Sequence, residues 1–348
     1  MRGANWVGDA VMTVPALREL RRLLPRARVT LATRAWAEGI FEGADFIDDF
    51  LVTGETSNRP RAVFAEARRW RARRFDLAVL FPNAFAPALV AALARVPARA
   101  GYATQGRTAL LTHRFDVPEW RGRRHEVFYY LNVVSELERL LYGTSTVAER
   151  EPDTRLPAPE SRGREASGLL RELGVDASRP LVALCPGSTN SRAKRWPAER
   201  FAAVADMLAE KTAAQIVLVG AAEESDISEH VARLMRARPF LLTGKTDLSQ
   251  TAAVLRAADL LVTNDTGPAH IADAVGCPVI VVFGPTNPQT TRPFSRTAEV
   301  VRRPPDCAPC MLRDCPIDHR CMTAVTPEDV FERALVSLEA RRKVEAAR

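Results

Sequence analysis

The sequence predicts an α/β protein with two Rossmann-like domains facing a central cleft. Three observations lead there. Short apolar runs occur without polar alternation, as parallel strands buried on both faces require. Stretches with helical spacing separate those runs, which is the pattern of βαβ crossovers. A charged segment bearing Pro152, Pro157 and Pro159 interrupts the pattern near the middle of the 348 residues. The chain is 47% hydrophobic, enough for two cores of ordinary size.

In chain order, residues 11–24 read as a helix, 28–32 as a strand, 62–73 as an arginine-rich helix, 77–81 as a strand and 86–94 as a helix. Residues 151–165 have the composition of a linker. The expected domains are therefore 1–165, with the linker, and 166–348. Strands follow at 181–185, 216–220, 260–263 and 279–283, with helices at 198–211, 223–235, 249–258 and 268–275 and one more at the carboxyl terminus. Ligands of open α/β sheets bind at the carboxyl ends of the strands, so two such domains suggest one shared cleft.

Composition narrows the partners. No stretch approaches the roughly 18 apolar residues of a membrane span, and no signal peptide pattern opens the chain, so a cytoplasmic location is expected. Residues 1–150 hold 23 Arg and no Lys against 16 Asp and Glu, a surplus of seven that equals the net charge of the whole chain. Guanidinium groups suit planar, two-pronged contact with phosphate or carboxylate. Arginines of this half, among them Arg68, Arg69, Arg71, Arg73, Arg74, Arg121, Arg123 and Arg124, are expected to face phosphates of a lipid at a membrane surface rather than nucleic acid.

Three motifs carry the chemistry. Asn-Asp-Thr-Gly-Pro-Ala-His at 264–270 joins a strand to a helix, where free N–H groups of the first turn and the small Gly267 suit an anion such as a diphosphate. Asp265 and Thr266 suit the plainer role of helix cap equally well, and His270 either faces the same ligand or packs. Ala-Lys-Arg-Trp-Pro at 193–197 places Lys194 on a loop after the strand 181–185, as a phosphate partner or as a solvated charge. Glu223 or Glu224, after the next strand, is positioned to accept from a ribose hydroxyl. Asn-Trp-Val-Gly-Asp-Ala-Val-Met at 5–12 brings Asp9 to a helix start, as a cap or as a general base.

Together, and in this order over nearly the whole chain, the motifs resemble the bacterial lipopolysaccharide heptosyltransferases of glycosyltransferase family 9, most of all the second heptosyltransferases. The resemblance implies an inverting transfer of L-glycero-D-manno-heptose from ADP-heptose to heptose I of the inner core, on a lipid A–Kdo–heptose acceptor. It implies the GT-B fold, with an acceptor-binding first domain and a donor-binding second domain, and peripheral contact with the cytoplasmic face of the inner membrane. By the same resemblance Asp9 is the base and Lys194 the phosphate contact. Asp265 then contacts the heptose, Thr266, Gly267 and His270 complete the donor loop, and Glu224 meets the ribose. Heptosyltransferase I, or another nucleotide-sugar transferase of the same fold, is the alternative. A non-catalytic nucleotide-binding protein is a more distant one, and a dinucleotide-binding protein is disfavoured because no Gly-x-Gly-x-x-Gly follows any expected strand.

Two departures from the family stand out. Its members begin with a short apolar strand, and Met1 falls where the last residue of that strand is expected, so a few preceding residues are predicted for the natural protein. Cys307, Cys310, Cys315 and Cys321, with His319, lie within fifteen positions. A structural zinc, free buried thiols and disulfides all fit that spacing. The transfer itself is expected to need no cofactor.

Overall fold

The computed structural model describes residues 1–54, 59–295 and 297–346. It divides into two compact units, Met1–Thr154 and Arg155–Arg348. The division falls eleven residues before the expected boundary at 165. The linker composition misleads there, because the second half of that segment starts a helix that packs within the second unit.

The first unit runs α1 (Val7–Met12), α2 (Val14–Leu23), β1 (Thr30–Thr33), α3 (Ala35–Ile40), β2 (Asp49–Val52), α4 (Pro60–Ala72), β3 (Leu77–Val79), α5 (Phe85–Leu93), β4 (Ala98–Tyr102), β5 (His113–Phe115) and α6 (Glu126–Tyr142). All its strand pairs are parallel. The pair β1–β2 and the trio β3–β4–β5 are joined by residues 1–3, since Arg2 bridges both Ala32 and Leu80. Hydrogen bonds from Arg2 N to Val79 O and from Gly3 N to Ala32 O, both 2.9 Å, hold that short central rung. Gly3 leaves room there, for a Cβ would stand 3.1 Å from Leu31 Cδ1. The expected helix over 11–24 is two helices meeting at Thr13, and Asp9 lies inside the first. Pro15 sits in the first turn of α2, where its missing N–H costs nothing.

The second unit runs α7 (Glu160–Glu172), β6 (Leu181–Cys185), α8 (Ala198–Thr212), β7 (Gln215–Leu218), α9 (Ser225–Leu234), β8 (Phe240–Leu241), α10 (Leu248–Ala257), β9 (Leu260–Asn264), α11 (Gly267–Ala274), β10 (Val279–Val282), α12 (Pro288–Thr291), β11 (Ala298–Val301), α13 (Arg320–Thr323) and α14 (Pro327–Ala346). Its six parallel strands lie in the order β11-β10-β9-β6-β7-β8. That is the doubly wound order of a Rossmann sheet, with the direction of winding reversing between β6 and β9. The core is aliphatic: Val182, Leu184, Ile216, Leu218, Val262 and Ile280 from the strands meet Phe201, Val204 and Leu208 of α8. Helix α10 opens with a capping box in which Asp247 and Gln250 exchange side-chain and backbone hydrogen bonds, satisfying N–H groups that the helix leaves unpaired.

Candidate functional site

The polar groups of the second unit gather where the reversal of winding predicts. The loops after β6, β7, β9 and β10 all leave the carboxyl edge of the sheet. Asn264, the last residue of β9, ties two of them together. Its Nδ2 donates to Pro186 O at 2.8 Å and to Gly187 O at 3.1 Å, and its Oδ1 accepts from Trp196 N at 2.9 Å. Trp196 is itself locked in the core, with Nε1 donating to Val325 O at 3.0 Å.

That clamp sets Lys194 beside Asp265. Lys194 Nζ lies 2.8 Å from Asp265 Oδ2 and donates also to the Asp265 carbonyl at 3.1 Å. Thr286, in the loop after β10, donates its hydroxyl to Asp265 Oδ2 at 2.6 Å. The carboxylate is only 5% exposed, whereas the ammonium is 26% exposed and can turn toward a ligand. Thr266 is the N-cap residue of α11 but makes no side-chain capping bond, so the plain capping role expected as an alternative is not taken. Pro268 has no N–H and Ala269 N donates to Thr266 O at 3.1 Å, so the Gly267 N–H and the positive end of the helix dipole are what the start of α11 presents. His270 is buried one turn further in.

Glu224 stands on the other side of the reversal point. Its Oε2 accepts from Ala221 N at 3.0 Å and its Oε1 from the Thr189 hydroxyl at 3.1 Å. A Cβ at Gly187 would overlap this carboxylate, so only glycine lets the loop after β6 lie over it. Two bonds leave lone pairs over on both oxygens for a ligand hydroxyl. Cys185 lies beneath, its thiol pushed up to about 12 by burial and then by the Glu224 carboxylate, so it stays an inert neutral thiol.

The first unit has its own polar group at the same edge of its sheet. Asp9 is in the first turn of α1. Burial pushes the Tyr130 hydroxyl well above its ordinary range, and the Asp9 and Glu126 carboxylates push it further, which places Asp9 beside α6. Arg121 lies 3.5 Å over the Tyr129 ring and 3.8 Å from Glu126 Oε1. Asn83, just after β3, donates to the Tyr129 hydroxyl at 2.9 Å. The expected residues thus divide by unit: Asp9 in the first, and Lys194, Glu224, Asp265, Thr266, Gly267 and His270 together in the second.

The cysteine segment, for which zinc, free thiols and disulfides are the alternatives, keeps Cys307, Cys310 and Cys315 near enough to Cys321 to push its thiol up, after burial. Cys307 and Cys310 are exposed, Cys315 is half-buried and Cys321 is buried, and all are free thiols. Among the described residues no three His, Cys, Asp or Glu side chains converge as a metal site requires. The segment braces the Lys194 loop instead. Ala193 N donates to Arg313 O at 2.9 Å, His319 Nε2 lies 2.6 Å from Ala193 O, and Arg192 pairs with Asp314 at 2.7 Å.

Comparison with known proteins decides the family. The profile of glycosyltransferase family 9 (heptosyltransferase) matches residues 63–320. The chain belongs to glycosyltransferase family 9. The lipopolysaccharide heptosyltransferase 2 of Salmonella typhimurium is 28% identical over 313 residues, 86% of each chain. The lipooligosaccharide heptosyltransferase 2 of a Campylobacter jejuni strain is 25% identical over 94% of this chain and 95% of its own. The lipopolysaccharide heptosyltransferase 1 of Pseudomonas aeruginosa, though 31% identical, matches over only 46% of this chain and 44% of its own. Among solved structures, E. coli ADP-heptose lipopolysaccharide heptosyltransferase II shares the fold with a TM-score of 0.81 at 24% identity, covering 98% of both chains. The family 9 glycosyltransferase of Veillonella parvula gives 0.83 at 23%, covering 97% of this chain and 96% of its own. This family 9 enzyme is a GT-B glycosyltransferase, and no helix among its described residues is long and apolar enough to cross a membrane.

Thr286, Asn264, Gly187 and Thr189 are site residues that the motifs alone did not single out. Asn264 had a signal, as the first residue of the Asn-Asp-Thr-Gly-Pro run at a strand end. Thr286 had a weaker one, in the Gly-Pro-Thr-Asn turn after the apolar run of β10.

Proposed function

We propose that this glycosyltransferase moves a heptosyl group from an ADP-heptose donor onto a lipopolysaccharide core acceptor, as the second heptosyl transfer. The observation that carries it is the Lys194–Asp265 pair at the uncapped start of α11, with Glu224 across the reversal point. A cation beside the Gly267 N–H and the positive end of a helix suits a diphosphate, and carboxylates on either side suit the hydroxyls of a ribose and a sugar. Donor and sugar follow the names of the relatives. Those names number the transfer but specify no accepting sugar, so the earlier expectation of heptose I is corrected to the coarser one, a lipopolysaccharide core.

In the proposed reaction Asp9 takes the proton of an acceptor hydroxyl as that oxygen bonds to the anomeric carbon from the face opposite the diphosphate. The bond from that carbon to the diphosphate oxygen breaks, ADP leaves with the electron pair, and the configuration inverts. Lys194 and the first turn of α11 meet the charge growing on the diphosphate, where preorganised donors act most strongly. Asp265 orients Lys194 and holds a heptose hydroxyl, His270 lines the same loop, and Glu224 accepts from the ribose. No step calls for a cofactor, since Lys194 and the helix supply the positive charge. The first unit takes the acceptor, the second the donor, and the enzyme works at the cytoplasmic face of the inner membrane.

Incubating the purified protein with ADP-heptose and a panel of truncated cores, followed by mass analysis, tests this reading. Addition of one heptosyl unit to a core that already carries the first heptosyl transfer is expected. Transfer only to a core with no heptose, or to none of the panel, overturns it.

A further inference from the structure

The outer face of α4 and α5 has no counterpart on the other helices of the first unit. Helix α4 buries Val63, Ala67 and Trp70 and turns Arg61, Phe64, Ala65, Arg68, Arg69 and Arg71 to solvent. Its one acid, Glu66, is half-buried. Among the described residues Arg61, Arg68 and Arg71 have no ion-pair partner, while Arg69 acts on the Glu66 carboxylate. Helix α5 packs beside it and carries no charged residue from Phe85 to Leu93. Phe64 is 56% and Phe85 45% exposed. By contrast α2 sets Glu19 beside its arginines, and α6 mixes Glu126 and Glu136 with Arg139. A water-facing helix is usually laced with both signs of charge. One with unpaired arginines around an exposed aromatic ring, next to an uncharged helix, complements a surface that is anionic outside and apolar just beneath.

We infer that the α4–α5 face is a docking surface for an anionic phospholipid bilayer. This deepens the proposed reading, in which the acceptor is anchored by lipid. The geometry agrees with that use. Arg73, which follows α4, pairs with Asp49 at the start of β2 at 2.7 Å, so α4 runs antiparallel to the strands. With α4, about 20 Å long, flat on the bilayer, the strands also lie along it. Their carboxyl edge, where α1 with Asp9 and the Asn83 loop emerge, then opens sideways at the level of the headgroups. A sugar held a short way above the membrane by its lipid reaches that edge without leaving the bilayer. Phe64 and Phe85 enter the boundary between headgroup and acyl chain, and the arginines remain among the phosphates.

The test is sedimentation of the full chain with phosphatidylcholine vesicles, with and without phosphatidylglycerol. Wild type is expected to bind the anionic vesicles and to lose binding as salt rises. An arginine near an anionic surface is worth about 1 kcal/mol, or roughly fivefold. The triple variant Arg61→Gln/Arg68→Gln/Arg71→Gln should therefore bind about a hundredfold more weakly. Phe64→Ser should weaken binding severalfold in a manner that salt does not alter. Arg162→Gln/Arg164→Gln on α7 should bind as wild type does. Melting curves confirm that each variant is folded, and each should keep full turnover on a deacylated core acceptor. Equal binding by the triple variant and wild type, equal binding to neutral vesicles, or pelleting without vesicles through self-association overturns the inference. Vesicle binding without heptosyl transfer by wild type would sink the proposed function and leave this face standing.

Discussion

Replacing Lys194 by Met keeps the length of the side chain and removes its charge, and the structure sets the cost. Asp265 would remain 5% exposed with the Thr286 hydroxyl as its side-chain partner. Removing one member of a fully buried ion pair costs about 3–5 kcal/mol, because the other charge stays buried and unpaired. Lys194 is a quarter exposed and water reaches the pair, so about 2–3 kcal/mol is the appropriate range here. For a unit of this size that lowers the melting temperature by roughly 4–12 °C. Adding Asp265→Asn removes the stranded charge, so the double variant should recover about 1–2 kcal/mol relative to the sum of the two single changes. Urea titrations of the four proteins measure this coupling. ADP affinity should fall independently, by about 1.5–3 kcal/mol, as a charge-assisted contact is lost. Single costs that add to within about 0.5 kcal/mol would refute the claim that Lys194 and Asp265 act as a pair.

Asp9→Asn should lower turnover by about a hundredfold or more with donor affinity unchanged, the signature of a lost general base; a variant above a tenth of the wild-type rate would remove Asp9 from that role. Gly187→Ala drives a methyl into the Glu224 carboxylate, and calorimetry should show ADP binding weakened by about tenfold, with a stability loss of about 1–3 kcal/mol; unchanged ADP affinity would separate Glu224 from the nucleotide. Burial lifts the Asp273 carboxyl from its ordinary 3.8 to about 6, against hydrogen bonds from Ser295 and Phe294 that lower it. The fold therefore disfavours the ionised form, and stability falls as pH rises from about 4 through 6. Asp273→Asn should raise stability above pH 7 by up to about 3 kcal/mol and leave it unchanged near pH 4, whereas an equal gain at both values would contradict the assignment.

The strands that sequence makes legible are those buried on both faces. β6 and β10 are unbroken apolar runs and β9 opens on one before Thr263 and Asn264, and each lies within a residue of its expected bounds. Those it leaves obscure are short or half-buried. β2 opens on Asp49 at a sheet edge, β4 carries Arg99 and Gly101, β5 reads His-Arg-Phe and β8 has two residues. Such strands exist because a neighbour supplies the ladder, and that tertiary cause leaves no periodicity of two. Helix α6 carries a readable signal that the expectation above passes over: Val127, Tyr130, Val134 and Leu137 recur at helical spacing, and Gly143 ends the helix at a φ of 80°.

The site divides along a similar line. The structure gathers Lys194, Asp265 and Gly267 at one sheet edge as their motifs suggest, because each stands on a loop or a helix start at a strand end, which a local run of residues records. Thr286 and Gly187 act across the sheet, one on the Asp265 carboxylate and the other against the Glu224 carboxylate, so nothing near them in sequence records the contact. The cysteine segment shows a further limit. Thiol spacing describes which groups can meet locally, and a metal, free thiols and disulfides all fit it. Beside the Arg192–Asp314 side-chain pair, the segment braces the Lys194 loop through main-chain carbonyls, with the Arg313 carbonyl accepting from Ala193 N and the Ala193 carbonyl meeting the His319 ring. A backbone carbonyl belongs to every residue type, so a brace built from carbonyls has no signature in composition. Its requirement is a path of the right length that returns from β11 to the loop after β6, and that is a property of the folded sheet.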